Sequence, residues 1–214
     1  MVLGGALLAL ALAQLLLPAI AADRIASRLR RHGSVQSVQV RAWPAVELLW
    51  GSADSVDVRA GSLAMSAAQA AGFLWEAHGA HRVGLYATSV RVGRLRLSDV
   101  RFSKLGRVLR AEALTSDADV RAALPPGVAL ALLGSSGGRV RVRASGGLFG
   151  VGVSVEAVAG AIDGRLIAHP LGPLREGFQL TLFSDPHVHV DGVGAGVVPG
   201  RPGTYRLTLA ASLR

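Results

Sequence analysis

The residues best suited to chemistry in this 214-residue chain lie near its carboxyl end. His187-Val-His189, with Asp185 and Asp191 on either side, places two imidazoles and two carboxyls at alternate positions. In an extended strand, alternate side chains share a face. Such a face could present ligands to a divalent ion, but a metal site needs a third or fourth ligand in fixed geometry, and none can be assigned. A solvated strand face is the preferred reading. The histidines at 32, 78, 81 and 169 show no ligand spacing. Gly134-Ser-Ser-Gly-Gly138 lacks the Gly-x-Ser-x-Gly order of a nucleophile elbow. The glycines at 192, 194 and 196 are followed by Pro199-Gly200, not by the helix that a phosphate loop opens. The 14 carboxylates are scattered, and with no cysteine the chain has neither thiol catalysis nor a disulfide framework. No catalytic residue, metal or cofactor is expected, and the chain does not read as an enzyme.

Binding chemistry remains. Lysine and arginine number 23, the net charge is +9, and the sequence pI is near 11.5, so an anionic partner is expected. Single-stranded nucleic acid calls for aromatics interleaved with the basic groove. Aromatics make up only 5% of the chain, and Trp43, Trp50 and Trp75 stand apart from the arginine clusters at 24–31, 91–110 and 139–143. Lipid headgroups are the better match. Arg139, Arg141 and Arg143 alternate along one strand face, and a guanidinium fork fits phosphate oxygens. An apolar fraction of 50% with 17% charged residues excludes disorder. It also means that much surface must be buried or must face lipid. Trp43, Leu48, Leu49 and Trp50 concentrate this character around a single acid, as core packing or as a rim touching acyl chains or a membrane interface. With Phe73 and Leu74, and with the small Ala67, Ala70 and Ala71 leaving room, they form the candidate lining of a lipid cavity.

The elements that must position these residues follow from periodicity. Val2 to Ala22 is uncharged and as a helix would span about 31 Å, roughly one hydrocarbon core. Residues 1–22 therefore read as a signal peptide or membrane anchor, with Ala19-Ile20-Ala21 resembling a cleavage site. No basic residue precedes the run; those that follow would, by the positive-inside rule, hold the body in the cytoplasm. The exported or anchored reading is kept. Residues 23–33 read as a basic helical linker and 34–214 as one domain.

In that domain period-two alternation dominates, as in Val56, Val58 and Ala60, in Val140, Val142 and Ala144, and in Tyr205 through Leu213. Asp163-Gly164 predicts a hairpin, Gly146-Gly147 a further turn, and 138–169 a three-stranded meander. The apolar positions of 90–102 change parity twice, which predicts one long, curved, bulged strand or, alternatively, short strands joined by turns. Ser66 with Gln69 and Ser116 with Asp119 have the form of helix starts. The fold class expected is α+β: a strongly curved, bulged antiparallel sheet wrapped around a helix and preceded by an apolar N-terminal helix.

The order of these motifs resembles the LmeA-like bacterial phospholipid-binding proteins. The matching stretches are Ala22-Asp23-Arg24, Trp43-Pro44 through Leu48-Leu49-Trp50-Gly51, Val56-Asp57-Val58, Ser116 through Val120, and Asp163-Gly164-Arg165-Leu166 to Pro170. The resemblance implies a tubular lipid-binding type of fold, a cell-envelope location, and non-catalytic binding of phospholipid, anionic given the charge. A membrane-anchored structural module without a ligand is the alternative.

Overall fold

A computed structural model describes residues 2–148, 151–172 and 178–214. The uncharged run and the basic segment after it form one helix, α1 (Val2–Arg30), with Pro18 inside it. Its last turns are amphipathic. Ala26 and Leu29, three apart on one face, are buried, while Asp23, Arg24, Arg28 and Arg30 are exposed. The chain then reverses into β1 (Gly33–Arg41), which packs along α1.

β1 pairs antiparallel with β2 (Ala53–Met65), but β2 pairs parallel with β3 (Ala80–Val92). The sheet is therefore not antiparallel throughout, as the alternation had suggested. The segment between the two strands is the cause. Ser66 N donates to Gln69 Oε1 at 2.8 Å and Gln69 N to Ser66 Oγ at 3.2 Å. This capping box opens α2 (Ala67–Glu76), the crossover that a parallel pair requires. Period-two patterning reports which face a strand buries and is silent on its direction.

The two parity changes in 90–102 have different origins. At the first, Gly93, with φ 60°, turns the chain between β3 and β4 (Leu95–Leu105), which pair as a hairpin. At the second, the register between β4 and β5 (Val108–Ser116) slips between Ser98 and Arg101, where Asp99 has φ 49°. The expected single strand is thus a hairpin with one bulged arm. Ser116 caps α3 (Asp117–Ala123) by accepting from Asp119 N at 3.1 Å. The helix ends at Leu124, extended because it precedes Pro125. β12 (Thr204–Leu213) and β11 (Val188–Val197) complete a seven-stranded sheet in the order β1-β2-β3-β4-β5-β12-β11.

A second sheet has the order β10-β9-β8-β7-β6, from β6 (Val128–Ser136), β7 (Arg139–Leu148), β8 (Val151–Ile162), β9 (Arg165–Pro170) and β10 (Leu180–Phe183). The meander β7-β8-β9 is present, and Asp163 and Gly164, both at positive φ, make its tight turn. Gly146 and Gly147 do not turn the chain. They lie within β7 opposite Val153 and Gly152, and the connection at 149–150 lies outside the described residues. The sheets meet end to edge. Val190 N and Val193 N, on the free edge of β11, donate to the carbonyls of Gly164 at 2.9 Å and Gly138 at 3.0 Å. A Cβ on Gly192 would stand 3.1 Å from Gly138 Cα, so glycine permits this approach. Turns of the second sheet thereby cover an edge that would otherwise expose unpaired amides. The molecule is mostly strand with few helices, two sheets and no closed barrel among the described residues.

Candidate functional site

The apolar faces of the two sheets form one surface. Phe183 of β10, opposite Leu166, packs on the buried cluster Leu109, Val188, Ala211 and Leu213 of the first sheet. Coverage differs across this surface. In the first sheet Ala60 and Ala87 have 0% exposure and Val190 and Ala211 1%. In the second, the registered rows Leu130–Ala144–Val155 and Leu132–Val142–Ala157 are all only half-buried. The exposed area of the molecule, 13355 Å², exceeds the roughly 9,300 Å² usual for a compact chain of this mass. Alternation at 140–144 marked this face in the sequence, but nothing there said that it would stay half-buried.

Arg139, Arg141 and Arg143 do share one strand face, the opposite one. Arg141 and Arg143 both reach Glu156 on β8, at 3.2 and 2.8 Å. The Glu156 carboxyl is held below the usual range, first by the hydrogen bond from Arg143, against a smaller opposing effect of desolvation. One carboxylate thus offsets part of this cluster, and the cluster faces away from the apolar surface.

The tryptophan segment folds as a 3₁₀ turn, Ala45–Trp50, packed on α1. Trp43, Leu49 and Trp50 are 77%, 66% and 75% exposed, and Leu48 is half-buried. The turn is firmly held. Trp43 N donates to Asp54 Oδ2 at 2.8 Å, Gly51 closes the end in the left-handed region, and Ala45 N donates to Gln14 Oε1 at 3.0 Å. Gln14 is the one polar side chain in the run from Val2 to Ala22. Beside the turn lies an open cleft of about 420 Å³ between Arg41, Trp43, Asp54, Ser55, His81 and Arg82. Arg41 is in register with Ser55, and Ser55 with Arg82, so the three side chains line up on one face. A shallower hollow beside Gly194–Pro199 contains Arg206, which is paired to Glu112 at 3.0 Å.

The sequence-derived lining is therefore only partly assembled. Trp43, Leu48, Leu49 and Trp50 lie together at the tip. Phe73 instead meets the His32 ring edge-on at 5.3 Å, and the side chains of Leu74, Ala67 and Ala71 lie outside the described residues. The arginine triplet belongs to the other sheet. Lys104, the chain's single lysine, is 2% exposed and donates to the carbonyls of Ala80 and His78. Desolvation lowers its pKa. Its position two residues from Phe102, on the buried parity, was the available signal. His187 packs edge-on against Trp75 at 4.0 Å, and Arg214 Nη2 donates to His189 Nδ1 at 2.6 Å. Among the described residues no three potential metal ligands cluster. No helix among them is long and apolar enough to cross a membrane, and the side chains of 1–13 and 15 are outside that set.

Comparison with family models, curated proteins and solved structures finds no match for this chain.

Proposed function

We propose that the protein binds phospholipid without catalysis in the bacterial cell envelope, to carry or present it, and that α1 holds it to the membrane. The half-buried apolar face of the second sheet carries this reading. An inert module buries such a face to interior density, whereas a carrier leaves room for a guest. Acyl chains would lie along Leu130, Leu132, Val142 and Val155, running toward Phe183. The sheets would curve around the guest and the α2 region together, the arrangement implied by the resemblance to LmeA-like proteins. The net positive charge favours an anionic lipid.

Native mass spectrometry of the full chain, followed by lipid extraction, tests this. Co-purified phospholipid, lost in a Val142→Glu variant of unchanged thermal midpoint, is the expected result. A wild-type protein that retains no lipid would leave the membrane-anchored structural module as the account.

A further inference from the structure

The tip of the molecule poses a separate question. A folded chain rarely exposes two tryptophans and a leucine side by side unless they meet something apolar. Here they are presented on a turn fastened by backbone and side-chain hydrogen bonds and packed on α1, a helix on which Leu16 and Ile20 are also exposed. The bond from Ala45 N to Gln14 Oε1 is the informative detail. A bare amide or carboxamide is costly in hydrocarbon. In this contact each satisfies the other, and Ala45 is fully buried. The lone polar residue of the apolar run thus serves to dock the turn, and both can enter an apolar medium together.

The charge pattern fixes the direction. Arg41 and Arg82 line the same cleft as Trp43, and among the described residues neither has a carboxylate partner. Asp54 lines the same cleft, with Oδ2 engaged by Trp43 N. Glu47, within the turn, is half-buried, off the exposed trio. An apolar tip backed by two guanidinium groups without a carboxylate partner among the described residues matches the order of acyl chain and phosphate in an anionic leaflet.

We infer that the Ala45–Trp50 turn is a membrane-docking wedge for an anionic bilayer. Trp43, Leu49 and Trp50 enter the acyl region beside α1, and the Arg41–Ser55–Arg82 cleft takes a lipid phosphate. This inference deepens the membrane-bound reading but does not require a lipid on the second sheet.

The test uses the full chain carrying Trp75→Phe, reconstituted in vesicles of phosphatidylglycerol and phosphatidylcholine brominated near the glycerol end of the acyl chains. Docking predicts blue-shifted tryptophan emission quenched by the bromines, more strongly with phosphatidylglycerol. Arg41→Gln with Arg82→Gln should abolish the phosphatidylglycerol preference, and replacing Arg139, Arg141 and Arg143 by Gln should leave it. Gln14→Leu, which removes the acceptor, should reduce quenching in both lipids. Water-like emission without quenching would overturn the wedge. A preference that survives the double variant would overturn the cleft. If inorganic phosphate protects the cleft arginines from phenylglyoxal as well as phosphatidylglycerol does, the ligand is free phosphate and the lipid assignment falls. Because quenching is read from the tip, it can succeed even if no lipid co-purifies, so the two readings fail separately.

Discussion

The two sheets of this protein carry the same alternating pattern and come to opposite ends. In the first, Ala60, Leu63, Ala87 and Val90 form a buried cluster with Met65, Leu85, Val92 and Val100 packed on it. In the second, Leu130, Leu132, Val140, Val142 and Val155 point to one side with equal regularity and remain half-exposed. Alternation tells which side of a strand is apolar. What lies over that side depends on elements distant in sequence, and these cover the first sheet much better than the second. The arginines show the same divergence: Glu156 offsets Arg141 and Arg143, whereas among the described residues Arg41 and Arg82 stand without a carboxylate partner.

The largest effect should come from overfilling each face. Ala87→Phe places a ring where there is no exposed surface and should cost about 1–3 kcal/mol or more, several degrees of thermal midpoint for a chain of this size. Ala144→Phe, at the same kind of position in the second sheet, should leave the midpoint nearly unchanged while reducing uptake of a fluorescent phospholipid. Equal losses of stability would mean that the second face is packed after all.

Next in size is Lys104. Its pKa is lowered in the folded state by desolvation, so between that lowered value and the usual lysine value the unfolded chain binds more protons than the folded one. Wild-type stability should therefore rise with pH across this window, by ~1.4 kcal/mol for each unit of lowering. Lys104→Met lacks the titrating group, and the difference between the two denaturation profiles should narrow as pH rises. A constant difference would mean that the ammonium is not desolvated.

The smallest effect concerns Glu156. Glu156→Gln removes the carboxylate that Arg141 and Arg143 share, so binding of the protein to anionic vesicles should rise slightly at low salt. The gain should vanish at physiological ionic strength, where exposed charges are screened over about 8 Å. A gain that persists in salt would bring the second sheet's arginines back as a headgroup site.

Much of the local structure was legible in residues close together. The Ser66–Gln69 box, the Ser116 cap and the Asp163-Gly164 turn each depend on a few neighbouring side chains and their own φ and ψ, and each stands where the pattern put it. The errors fall where one local signal has two outcomes. A glycine at a parity change can turn a chain or bulge it, so Gly93 and the stretch around Asp99 could not be separated. A glycine pair can also simply extend, as Gly146 and Gly147 do. The site divides in the same way. The tip residues were visible as a compact run, whereas Gln14 drew no notice within an uncharged segment. The partners Ala45, Arg41 and Arg82 were not visible, since 31 residues separate Gln14 from Ala45.

By itself, then, the sequence determined the alternation of its strands, the capped starts of α2 and α3, the excess of positive charge and the uncharged amino-terminal run, because these are properties of composition and of neighbours within a few bonds. Only the tertiary structure decided that β2 and β3 run parallel, that β11 is sealed by turns, how far each apolar face is buried and which arginines meet an acid. Those outcomes depend on contacts between residues tens of positions apart, where burial and electrostatic pairing are set by the path of the whole chain.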